Sequence, residues 1–160
     1  MLRSSIFQRG GVYHVYNRGN RKRRIYYNEG DYLRFIERLS ETSAGLCIDV
    51  LVHCLMPNHY HLVLVQCYTI PISKLMQRLG IAYSMYINKK YGLVGHVFQG
   101  RYQIKRVATE RGFRRLVDYI RNNPVKDGLV KESHHYRWLK IQSCVYEGDF
   151  WDKILRKKLL

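Results

Sequence analysis

Apolar positions along the chain recur with two periods, near two and near 3.6, and the changes of period mark the elements. Residues 11–18 (GVYHVYNR) alternate Val12, His14 and Tyr16 with Tyr13, Val15 and Asn17, which predicts a strand. Gly19-Asn20 breaks it, and Arg21, Lys22, Arg23 and Arg24 follow in a loop. Asp31 is placed to cap a helix over 32–43 with the stripe Tyr32, Phe35, Ile36 and Leu39, and Gly45 to stop it. Residues 47–55 are nearly continuous in apolar residues, as an interior strand would be. Met56-Pro57-Asn58 then turns the chain, and 59–66 return antiparallel. Pro71 opens a second helix over 72–90, where Ile72, Leu75, Met76, Leu79, Tyr83, Tyr86 and Ile87 follow helical spacing. Glycine-rich 91–100 reads as a loop, and 101–107 as an edge strand with its charges outward. Thr109 caps a third helix running to about Asn122, with Phe113, Leu116, Val117 and Ile120 inward. Pro124 is expected to end it, since the residue before a proline avoids helical geometry.

The order βαββαβα, with a central hairpin and two crossover helices, predicts an α+β fold: a ferredoxin-like antiparallel sheet (βαββαβ) plus an additional C-terminal helix. No repeat or linker divides the chain. We expect one domain over 1–160, with a core at about 11–130 and a basic, aromatic tail at 131–160 packed on it as a short helix. No apolar run reaches 18 residues and the first residues lack a leader's apolar stretch, so neither a membrane span nor secretion is expected. Cys47, Cys54, Cys67 and Cys144 form no CxxC pair. Cys47 and Cys54 fall in the predicted second strand as buried thiols, which suggests a reducing cytoplasm and no zinc cluster.

Charge changes the picture. Lys and Arg number 28 against 12 acids, a formal net charge of +16. That excess predicts a polyanionic partner, nucleic acid ahead of membrane. Arg21, Arg23, Arg24, Arg101, Lys105, Arg114 and Arg115 are the candidates to face phosphates, and some of the 14 tyrosines could stack on bases.

Candidate chemistry gathers at the hairpin mouth. Alternation puts His59 and His61 on one face of their strand, roughly 7 Å apart along the chain. Two imidazoles so placed are how a strand offers a divalent metal two ligands. His53 lies outside that spacing and reads as a packed histidine. On the third helix Tyr119 and Asn123 are neighbours one turn apart, on a flank of the buried stripe. If that helix crosses the histidine face, the Asn123 amide oxygen becomes a third ligand and the Tyr119 phenol hangs beside the metal. The competing two-metal design needs convergent carboxylates, and of the 12 acids only Asp49 sits in a predicted strand.

His59-Tyr60-His61 after Met56-Pro57-Asn58, followed by Asp118-Tyr119-Ile120 and the run Asn122 to Val130 (NNPVKDGLV), resembles the single-tyrosine HUH transposases. The likeness is to their REP-associated tyrosine transposase branch. Residues 95–102 (GHVFQGRY) resemble the glycine-aromatic block of that branch, with Phe98 in place of its usual tryptophan. The resemblance, from about Gly11 to Val130, implies cleavage and rejoining of single-stranded DNA at hairpin-flanking sites. It implies Tyr119 as nucleophile leaving a 5′-phosphotyrosine, a divalent ion (Mg²⁺ or Mn²⁺) on His59, His61 and Asn123, and no nucleotide cofactor. A phenol of pKa near 10 is only about 0.1% ionised at neutral pH, so such chemistry needs activation. The implied setting is a bacterial, nucleoid-associated cytoplasmic protein with single-stranded or hairpin DNA as partner, as a dimer that swaps tyrosine helices or as a monomer. Two alternatives share the fold class: a noncatalytic nucleic-acid-binding module, and an HUH replication initiator or relaxase.

Overall fold

In the computed structural model, which describes residues 8–156, the alternating segments pair into a single antiparallel sheet. In chain order the elements are β1 (Gly11–Arg18), α1 (Glu29–Gly45), β2 (Ile48–Met56), β3 (His59–Gln66), α2 (Ile72–Tyr91), β4 (Gln103–Val107), α3 (Glu110–Lys126), β5 (Leu139–Ile141) and α4 (Phe150–Arg156). The strands lie in the order β4-β1-β3-β2-β5, so the first four have the ferredoxin-like arrangement and β5 extends it beyond β2. No helix among the described residues is long and apolar enough to cross a membrane.

The sheet separates two cores. Alternation sends Tyr13, Val15, Tyr60, Leu62 and Leu64 to one face, where Phe35 and Leu39 of α1 and Leu75, Leu79 and Tyr83 of α2 cover them. It sends Val12, Val63 and Val65 to the other, under Phe113, Val117 and Ile120 of α3 and Phe150, Trp151 and Ile154 of α4. A register shift between Val50 and Val52 turns β2 so that Val52, Cys54 and Met56 join this second core.

Four expectations need correction. Asn28, not Asp31, caps α1. Its side chain accepts from the Asp31 N–H, while the Asp31 carboxylate accepts from the Asn28 N–H, a reciprocal capping box that starts the helix three residues early. Cys47 is exposed and precedes β2 with a left-handed φ of 52°; of the two thiols placed in that strand only Cys54 is buried. Pro124 sits inside α3 instead of ending it. Proline removes one helical donor, but Asp127 N–H still donates to the Asn123 carbonyl (3.0 Å) and Leu129 N–H to that of Pro124 (2.9 Å). The stop is Gly128, at φ 68°. The tail contributes a strand as well as a helix: β5 pairs with β2, and the Tyr136 hydroxyl donates to the Leu55 carbonyl at 2.7 Å. Residues 157–160 of the basic tail lie outside the described residues.

Candidate active site

Burial of the apolar stripe of α3 decides where its flank goes. With Phe113, Val117 and Ile120 held against the sheet, Asn123 is carried under the helix (7% exposed) and Tyr119 stays at the rim (46% exposed). The Tyr119 ring meets His61 edge-on, centroids 5.7 Å apart at 83°. His61 meets His59 at 5.2 Å. All four residues line a cleft of about 760 Å³ at the hairpin mouth, and all four come from one chain.

The partners of each imidazole say where its protons sit. Asn58 Nδ2–H donates to the Lys22 carbonyl (3.3 Å), which turns Asn58 Oδ1 toward His59 Nδ1 at 2.7 Å. An amide oxygen only accepts, so His59 carries its proton on Nδ1 and keeps a lone pair on Nε2. Asn123 Nδ2–H donates to the Tyr119 carbonyl (3.4 Å), and the Asn123 side chain lines the cleft together with His59. His61 Nδ1 lies 3.0 Å from His14 Nε2, while His61 Nε2 is buried with no hydrogen-bond partner among the described residues.

Burial holds these rings neutral. It pushes His61 down to about 3, with His14, His59 and Arg18 adding to the effect, and His14 down to about 4, with help from Lys105. His59 is lowered by burial too, opposed by the Asp127 carboxylate. Neutral imidazole is the ligand form, and a buried nitrogen without a partner is what a cation would satisfy. Two imidazole nitrogens and an amide oxygen on one cleft therefore fit a divalent ion.

Of the seven basic residues singled out in the sequence, the cleft takes in only Arg101, alongside Arg18 and Lys22. The loop carrying Arg101 is tied down, with Gln99 N–H donating to the Arg18 carbonyl (2.9 Å) and Asn20 N–H to that of Val97 (2.8 Å). Arg21, Arg23 and Arg24 are exposed on the same loop as Lys22. That loop folds back tightly on Gly19, where a Cβ would stand 2.1 Å from the Arg23 carbonyl oxygen. The Lys105 ammonium sits 5.8 Å over the ring of Tyr16, a cleft residue. Arg114 and Arg115 lie on the exposed side of α3 away from the cleft, and Arg114 is bound to Glu110 at 2.6 Å.

Sequence reasoning passed over three residues here. His14 was visible only as one member of an alternating strand, and what brings it to His61 is the β1–β3 register. Asp127, just past α3, lines the cleft, and Lys126 holds its ammonium 5.5 Å over the Tyr119 ring. A separate group, Glu132, His134 and His135, gathers ligand atoms within 4.8 Å of one another on an exposed turn outside the cleft. His53 is buried on the other face of the sheet, where desolvation and Lys140 lower it to about 4.

A family model described as transposase IS200 like matches residues 8–123, a span that includes His59, His61, Tyr119 and Asn123. Among solved structures, that of a REP-associated tyrosine transposase bound to a REP hairpin is similar, with a TM-score of 0.72 at 17% identity over 83% of this chain and 78% of that one. A candidate transposase from Deinococcus radiodurans is similar with a TM-score of 0.52 at 15% identity, over 69% of this chain and 88% of its own. At these identities the likeness speaks for the fold. None of the curated proteins matches by sequence.

Proposed function

The chain belongs to the IS200-like transposase family, and from that premise we propose that it cleaves and rejoins single-stranded DNA beside a hairpin, with Tyr119 as the nucleophile. The observation that carries the reading is the meeting of an exposed phenol with a neutral histidine whose Nε2 is buried and has no hydrogen-bond partner among the described residues. A DNA partner suits the formal net charge of +16, and the similar REP-associated enzyme was solved on a hairpin.

In the step proposed, the Tyr119 oxygen attacks the scissile phosphorus. A bond from that oxygen to phosphorus forms, the bond from phosphorus to the 3′-oxygen breaks, and the phenol proton is passed through solvent to the departing 3′-oxygen. The products are a 5′-phosphotyrosine and a free 3′-hydroxyl, and attack by a 3′-hydroxyl on the phosphotyrosine reverses the exchange. One phosphoester replaces another, so no nucleotide cofactor is needed. His59 and His61 through Nε2, and Asn123 through its amide oxygen, would hold Mg²⁺ or Mn²⁺, which when bound polarises the phosphate and favours the phenolate. Arg18, Lys22 and Arg101 at the cleft wall neutralise the strand's phosphates. The Lys126 ammonium over the phenol ring favours negative charge developing there. Because one chain supplies both tyrosine and histidines, a monomer suffices for the cleavage step.

The test is incubation with a folded single-stranded hairpin bearing a short flank, with Mn²⁺, scored for a 5′-linked adduct by gel and mass spectrometry. The native chain forms the adduct, and Tyr119→Phe forms none while binding the hairpin within about two-fold. An adduct that survives in Tyr119→Phe, or a native chain that binds the hairpin and never forms one in either metal, refutes the proposal.

A further inference from the structure

We infer that His14 is a positioning residue that sets which nitrogen of His61 carries the proton, and thereby prepares His61 to hold a divalent cation. The inference rests on the reading of His59, His61 and Asn123 as the cation's ligands.

Antiparallel pairing of β1 with β3 sets Tyr16 opposite His61 and His14 opposite Val63, so His14 lies diagonal to His61 on the same face of the sheet. Their rings meet edge to edge, centroids 5.2 Å apart and planes 23° apart, and Tyr16 stacks on His14 at 4.9 Å. His14 Nε2 and His61 Nδ1 stand 3.0 Å apart, and both residues are buried. Two neutral imidazoles at that distance must share one proton, which allows two arrangements. If His14 donates from Nε2, then His61 carries its own proton on Nε2. That nitrogen is buried and has no acceptor among the described residues, so a donor is stranded. If His61 donates from Nδ1, its Nε2 keeps a bare lone pair beside the cleft lined by His59, Asn123 and Tyr119. Only the second arrangement makes His61 a ligand, and it requires an acceptor at the position of His14 Nε2.

The same device serves the other imidazole by different means. Asn58, oriented by its bond to the Lys22 carbonyl, accepts from His59 Nδ1. Asn58 lies next to His59 in sequence, within the turn motif, whereas the group that serves His61 is 47 residues away on another strand. A metal-bound histidine depends on the group that receives its second N–H.

The experiment titrates Mn²⁺ alone into the purified full chain, followed by calorimetry or by the paramagnetic resonance of free Mn²⁺. His14→Phe keeps a stacked ring and removes the acceptor; His14→Gln returns an amide oxygen near the former Nε2. We expect His14→Phe to weaken Mn²⁺ binding about 10- to 100-fold, His14→Gln to recover most of it, and metal-free hairpin binding to stay unchanged in both. A loss that His14→Gln does not relieve marks a packing role and overturns the inference. If His59→Ala abolishes binding while His14→Phe binds as the native chain does, the inference about His14 fails and the ligand set stands. If His59→Ala binds as the native chain does, the ligand reading itself fails and takes the inference with it. Long-range ¹⁵N–¹H correlation of the native protein needs no variant to fold: a His61 proton on Nδ1 supports the inference, and one on Nε2 overturns it.

Discussion

Strand β3 presents two unlike faces within eight residues. Tyr60, Leu62 and Leu64 point into the core under α1 and α2, where each is at most 3% exposed and the neighbours are aliphatic or aromatic. On the opposite face, Val63 and Val65 continue an apolar core under α3 and α4, but His61 and His59 replace it toward the hairpin mouth. Both faces are buried, so burial does not separate them. What separates them is where the unsatisfied polar atom of each lies. On the α1/α2 face it is the Tyr26 hydroxyl, sealed inside the core with no hydrogen-bond partner among the described residues. The α3 face ends in a row of imidazoles whose outer nitrogens look onto a cleft. The buried histidine of the first face, His53, tells the same story in reverse, for it is lowered by burial like His61 yet lies apart from Tyr119 and the cleft.

If the two faces divide stability from chemistry, variants should divide in the same way, and the largest effect belongs to the site. His61→Ala should remove both Mn²⁺ binding and the phosphotyrosine adduct below detection, read by calorimetry and by gel. Leu62→Ala, one residue away and fully buried on the other face, should cost about 2–5 kcal/mol of unfolding free energy in urea melts and leave the Mn²⁺ affinity of the folded protein unchanged. A Leu62→Ala protein that loses the ion as His61→Ala does would abolish the distinction.

A smaller effect is pH-dependent. His53, with an ordinary value of 6.5 and a folded value of about 4, stays neutral in the folded chain while the unfolded chain takes up a proton below pH 6.5. Its contribution to stability is therefore complete above pH 6.5 and is lost as pH falls toward 4. Between pH 7 and pH 5, His53→Leu should lose about 2 kcal/mol less stability than the native protein, measured by melts at both pH values. Equal pH slopes in the two proteins would mean that the His53 environment is wetter than its burial implies.

The smallest effects concern the basic residues. Arg101→Ala, at the cleft wall, should weaken hairpin binding several-fold and lower the salt dependence by about one phosphate contact. Arg114→Ala should do less, because Glu110 already engages that guanidinium on the far side of α3. Binding isotherms at several salt concentrations rank the two, and a reversed ranking would place the strand along the outside of α3.

Legibility in the sequence followed the range of each signal. The parity that puts His59 beside His61, the one-turn spacing of Tyr119 and Asn123, and the buried stripe of α3 are local periodicities, readable without a partner. Asn28 displaced Asp31 as cap because both have capping side chains and only the reciprocal bond pattern ranks them. β5 is three residues long, too short to carry a period, and exists because β2 has an open edge for it. His14 looked like any alternating strand residue.

Residue order alone, then, determined which side chains share a face, because a strand or helix repeats its geometry every two or 3.6 residues whatever surrounds it. Tertiary structure decided which faces meet: the β1–β3 register that lays His14 against His61, the seating of α3 that sinks Asn123 and leaves Tyr119 at the rim, and the choice of one arginine among seven candidates for the cleft wall. Register and seating are set by apolar area buried across the whole sheet, a sum over partners distant in sequence that no local period encodes.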